Sequence, residues 1–155
     1  LTFAVTVRDR GLKRALDRLR EPQTKKLARL LGRLLVRQTE HRIAREKTGP
    51  DGKPWARAKV ERAKGRARDA KGRFRSTGLL VRSGTLLGSI RHGQQRDDVH
   101  VGTDLAYAAI HQLGGKRTSG GKGTPRRAFL GVSEANKAEA NAAIERELKR
   151  LLGVS

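Results

Sequence analysis

In VHVGTDLAYAAIHQLGGKRTSGGKGTPRRAFLGVS, residues 99–133, the hydrophobic period changes twice within 35 residues. Val99 and Val101 alternate with His100, the period of a strand with one buried face. Gly102-Thr103-Asp104 then offers a turn and a helix N-cap. From Leu105 the spacing is helical: Leu105, Ala108, Ala109 and Gln112 fall on one side, and Gly114-Gly115 supplies a stop. The helix is expected to run two to three turns, at about 3.6 residues per turn. A Gly, Lys, Ser and Thr loop over 114–124 follows. Beyond Pro125, Arg126-Arg127-Ala128-Phe129-Leu130-Gly131 passes from basic to apolar and reads as re-entry into the core.

The flanking chain is consistent with a small α+β fold. Phe3, Val5 and Val7 alternate as in a strand, and Asp9 can cap a short helix carrying Leu12, Ala15, Leu16 and Leu19. Glu21-Pro22 suits a helix start. Leu27, Leu30, Leu31, Leu34 and Leu35 then form a long apolar stripe, expected to continue through Gln38 and His41 to Ile43 and to end at Gly49-Pro50. This is the expected central helix, with a small antiparallel sheet packed on it. Ser83 can cap a short turn over Thr85, Leu86 and Leu87. Residues 89–92 and 99–101 are expected to pair across a turn at 94–98. Ser133 opens a C-terminal helix whose apolar side is read as Ala135, Ala138, Ala142, Ile144, Leu148, Leu151 and Leu152, with Gly153 as its stop.

One domain over 1–155 is the expectation for this length. Its core must be lean: 35% of residues are hydrophobic and 33% charged, so completion by neighbouring subunits is expected. The formal net charge is +21, which calls for a polyanion, an acidic partner or a strongly structured surface. Residues 53–75 hold ten Lys or Arg and few apolar side chains, so 47–78 is expected to be a mobile basic arm. Trp55, beside a Pro-Asp-Gly turn, is its anchor to the core or a contact with another subunit. Arg57, Lys59, Arg62, Lys64, Arg66, Arg68, Lys71, Arg73 and Arg75 on the arm, and Lys116, Arg117 and Lys122 on the Gly/Lys loop, are candidates for contact with DNA or an acidic partner. Lacking interleaved aromatics, they suit phosphate contact rather than base reading. A solvated face, DNA in a channel and an acidic protein ring all remain open.

Catalytic chemistry has little to stand on. The Gly/Lys loop misses the phosphate-loop spacing, because Lys116 occupies the position of its first Gly and Gly123 that of its Ser or Thr. His41, His92, His100 and His111 lack metal-ligand spacing and no Cys is present. No cofactor, metal or enzyme activity is expected. No apolar run is long enough to span a membrane and the N-terminus lacks a leader's apolar centre, so a soluble protein made in a cytoplasm is expected. Leu1 is compatible with an alternative start codon or a removed Met.

Three blocks carry a resemblance to a known family. They are Pro50-Asp51-Gly52-Lys53-Pro54-Trp55; Leu79 through Ile90 (LLVRSGTLLGSI); and Val101-Gly102-Thr103 through Tyr107-Ala108-Ala109-Ile110-His111-Gln112-Leu113-Gly114-Gly115, closing with Pro125 through Gly131. In order and spacing they resemble the virion morphogenesis, or tail completion, proteins of Mu-like tailed bacteriophages. The last block departs from the family's Pro-Ala-Arg-Pro-Phe wording at Arg126 and Ala128. The resemblance implies a non-enzymatic structural protein of the phage neck: a homo-oligomeric ring, hexameric to match tail symmetry, at the head-proximal end of the tail. Its implied partners are further copies of itself, head connector or adaptor proteins, the tail terminator or tail tube protein, and packaged DNA touched non-specifically. Trp55, Tyr107, His111, Gln112, Arg127 and Phe129 are the candidate assembly residues. The alternative is a free, sequence-independent nucleic-acid-binding protein.

Overall fold

A computed structural model of the chain describes residues 21–56, 80–81, 83–95, 98–115 and 123–152. The expected N-terminal strand and first helix, residues 57–78 of the arm, and 116–122 of the Gly/Lys loop lie outside the described residues. The described elements are α1 (Glu21–His41), continued by a π-helical segment (Arg42–Glu46), α2 (Thr85–Ser89), the strands β1 (Arg91–Gln95) and β2 (Asp98–Gly102), α3 (Ala108–Leu113) and α4 (Glu134–Leu152). This is an α+β arrangement in which a two-stranded antiparallel sheet and a C-terminal helix pack on one long helix.

α1 begins where Pro22 needs no N–H partner. An ion pair between Lys25 and Glu21 one turn apart, at 2.8 Å, supports its first turns. Its inward stripe holds Leu27, Leu35, Gln38 and Thr39, and continues through Arg42 and Ile43. The expected track through His41 is corrected: His41 is exposed and bonds Glu46 at 3.0 Å, while the basic Arg42 is buried. At about 100° per residue Arg42 falls between Gln38 and Thr39 on the buried face, whereas His41 falls beyond the Gln38 edge of it. The π segment ends at Lys47, whose φ of 56° and N–H to Arg42 O at 3.0 Å close the helix two residues before Gly49.

β1 and β2 pair antiparallel with Gln95 opposite Asp98 and His92 opposite Val101, so the pairing runs into the span 94–98 where the turn was expected. Val99 and Val101 enter the core, and β1 is exposed along its length. The hairpin lies close against α1 because Gly32 has no side chain: a Cβ there would strike the His92 ring. α4 runs antiparallel to α1, with Leu27, Ile144 and Leu148 forming a small apolar cluster. Its start follows the sequence reading closely. Asn136 N donates to Ser133 Oγ at 3.1 Å and Ser133 N to Asn136 Oδ1 at 3.4 Å, a reciprocal cap. Its buried side differs from expectation, since Ala140 is the buried alanine and Ala135, Ala138 and Ala142 are exposed. Ala140, Ile144 and Leu148 recur at four residues and α1 takes up this row, so the flanking alanines are left on the water side. No helix among the described residues is long and apolar enough to cross a membrane.

Candidate assembly site

The main core gathers Leu35, Ile43, Trp55, Leu86, Ile90, Val101, Ala108, Phe129 and Leu130. At its centre lies the segment 127–131, which belongs to no helix or strand. Buried backbone outside regular structure must still satisfy its N–H and C=O groups. Here side chains do so. Gln112, on the inner side of α3, accepts from Phe129 N at 2.9 Å and Leu130 N at 3.0 Å and donates to Leu130 O at 3.0 Å. Arg42 donates to Phe129 O at 3.0 Å, Gly131 O at 2.8 Å and Asn136 Oδ1. Trp55 Nε1 donates to Ala128 O at 3.1 Å. Arg127 N donates to His111 O at 2.7 Å, and its guanidinium Nε to Ala56 O at 3.0 Å. Phe129, fully buried, is thereby clamped from α1, α3 and the loop that carries Trp55.

That loop is ordered over 47–56. A turn with Gly52 N bonded to Gly49 O at 3.0 Å and a return bond from Trp55 N to Lys47 O at 2.8 Å bring the indole back to the core. Gly131, at φ 143°, passes against Pro50; a Cβ there would collide with the proline ring. The departure from family wording at Arg126 and Ala128 leaves this clamp intact, because its bonds at 128 run to backbone. The base of the Gly/Lys loop is closed by paired bonds between Gly115 and Thr124, at 3.0 and 2.8 Å.

α3 therefore has two unlike sides. It starts three residues later than the spacing from Leu105 suggested: within the expected Gly102-Thr103-Asp104 stretch, Thr103 caps the preceding turn by accepting from Leu105 N at 3.2 Å. The inner side presents Ala108 and Gln112. The outer side presents Tyr107, Ile110 and Leu113, which are 41%, 48% and 53% exposed, three large apolar residues in a row. His111 lies between the sides, its ring edge-on to Tyr107 with centroids 6.1 Å apart. Its Nδ1 is buried without a hydrogen-bond partner among the described residues. Burial, and then the neighbouring Arg127 cation, hold the imidazole below its ordinary pKa.

Of the six assembly residues expected from sequence, Trp55, Gln112, Arg127 and Phe129 converge on one segment of the chain's own core. Tyr107 is exposed and His111 half-buried. The twelve basic candidates, Arg57 to Arg75 on the arm and Lys116, Arg117 and Lys122, lie outside the described residues. Sequence reasoning missed Arg42, which a basic letter hides, and Ile110 and Leu113. The latter pair was accessible: they stand three and six residues from Tyr107, opposite the Gln112 side. Among the described residues no group of three or more His, Asp or Glu side chains is placed to hold a metal ion.

The family model for the phage virion morphogenesis family matches residues 7–149, and the chain belongs to that family. Searches of curated proteins and of solved structures returned no match.

Proposed function

We propose that this protein is a structural component of the phage neck. Copies form a closed ring, a hexamer matching tail symmetry, at the head-proximal end of the tail; the ring completes the tail and joins it to the DNA-filled head. It sits between the head connector or adaptor and the tail terminator or tube protein, is assembled in the host cytoplasm, and performs no catalysis. Membership in a virion morphogenesis family supports a structural role in the particle. The observation that carries the ring is the Tyr107, Ile110 and Leu113 row. A chain with so little apolar material leaves three large apolar side chains in water on one rigid helix, and a neighbouring copy is the surface that covers them. A cyclic ring needs such a patch to meet a different surface of the next copy.

Two experiments test this reading. Electron microscopy of lysates from a phage lacking the gene is expected to show filled heads beside separate tails of normal length. Overlong tails would instead assign termination of growth, and infectious particles would refute the neck assignment. Ile110→Asp/Leu113→Asp is expected to leave a folded monomer that forms no ring, measured by sedimentation and by complementation of the gene-deleted phage. Trp55→Ala is a poor substitute, because Trp55 lies inside the fold.

The +21 charge favours one alternative, a free nucleic-acid binder. It predicts a protein absent from purified particles.

A further inference from the structure

The outer side of α1, opposite the stripe that enters the core, carries Lys26, Arg29, Arg33 and Arg37, all exposed. Lys26 and Arg37, at its ends, reach across to α4, to Glu147 at 3.2 Å and Glu139 at 3.4 Å. Between them Arg29 and Arg33 have no carboxylate partner among the described residues. A helix advances about 6 Å in four residues, so Arg29, Arg33 and Arg37 are spaced over about 12 Å along one face of α1. Like charges at this spacing repel one another and weaken the helix. Within the row only Arg37 has a carboxylate to offset this, and the charges of Arg29 and Arg33 are unopposed among the described residues.

We propose that this row is a binding site for the sugar-phosphate backbone of duplex DNA, separate from the basic arm and the Gly/Lys loop. Three features favour DNA over an acidic protein. The three arginines follow one face of a helix, and over about 12 Å one DNA strand presents three to four phosphates at about 3.4 Å each along the axis. Every cation in it is a guanidinium, whose planar fork matches phosphate oxygens. No large apolar side chain is exposed beside it; among the described residues those all lie on α3. A protein partner would bury apolar surface at the centre of its contact, and this face offers none. With no aromatic group to stack on bases, recognition is of phosphate alone and independent of sequence. Arg37 joins by exchanging a weak, exposed ion pair with Glu139 for a phosphate. The inference does not depend on the ring.

The test uses the full chain and a fluorescent duplex of random sequence, with binding followed by anisotropy across a series of salt concentrations. Arg29→Gln/Arg33→Gln is compared with Arg146→Gln/Lys149→Gln, which removes the same charge from exposed positions of α4. The α1 pair is expected to weaken binding by about tenfold near physiological salt. It should also lower the slope of log affinity against log salt by about two, one for each phosphate that the variant no longer neutralises. The α4 pair should do markedly less. Both pairs are surface changes, and unchanged melting temperatures will verify the fold. Equal losses from the two pairs would overturn the site in favour of diffuse attraction. No loss from the α1 pair would place DNA contact elsewhere in the chain. Unchanged DNA binding with lost binding to a polyglutamate peptide would assign the row to an acidic protein.

Discussion

Gln112 is the residue on which the local fold turns. One buried amide serves three backbone groups of Phe129 and Leu130, and an unsatisfied buried polar group costs about 1–3 kcal/mol. Gln112→Leu keeps the volume but orphans all three. It is expected to lower unfolding stability by about 2–4 kcal/mol, read as a shift in urea midpoint at unchanged slope. Arg42 is a related case. Its charge is 2% exposed and, among the described residues, meets no carboxylate at hydrogen-bond distance; two carbonyls and an amide oxygen solvate it instead. Burial draws its pKa down, partly offset by Glu46, yet a guanidinium stays charged. Arg42→Lys retains the charge on a single point that cannot span Phe129 O, Gly131 O and Asn136 Oδ1 together. A loss of about 1–3 kcal/mol is expected by the same measurement.

At the scale of elements, the hairpin and α1 share a contact that exists only because residue 32 is glycine. In an isolated helix Gly32→Ala would be favourable by about 1 kcal/mol. Here the added methyl strikes the His92 ring near its root, so the hairpin must move. The single variant is expected to melt below the native protein, and Gly32→Ala/His92→Ala above that single variant. If the two changes add independently, the contact carries no strain. α3 makes the complementary point. Its inner side is bound to the core through Gln112, so changes to its outer side are expected to alter stability by no more than about 0.5 kcal/mol while abolishing assembly.

For the molecule as a whole, His111 and Glu147 are two of the groups through which acid acts on stability. The His111 pKa is lowered in the fold, so the unfolded chain binds the proton first. The stability that neutral His111 supplies is complete above its ordinary value of about 6.5 and declines as pH falls toward its folded value. Glu147 is drawn down to about 2, by its bond to Arg150 first and then by Lys26. Its contribution is present above the ordinary carboxylate range and fades only as pH falls toward about 2. Melting temperature against pH is therefore expected to fall in two windows. His111→Asn should flatten the upper one and Glu147→Gln the lower; a profile unchanged by either variant would refute the assignment.

What the sequence determined alone was what short-range chemistry reports. Apolar period located α1, β2 and α4, Ser133 announced its cap, Gly114 marked the end of α3, and the basic-to-apolar switch before Phe129 signalled a return to the core. These features depend on residues within a turn or two of one another, so they survive in a linear reading. The tertiary structure decided the rest, because it depended on partners far along the chain. Arg42 is buried only because residues 129, 131 and 136 present acceptors to it. Gln112 is a structural clamp rather than a contact surface because 129 and 130 fold against it. Which alanine of α4 is buried was set by where α1 lies, and Tyr107, Ile110 and Leu113 form an exposed row because the opposite side of α3 is already occupied. Period alone states that a helix has two sides; only packing states which one faces water.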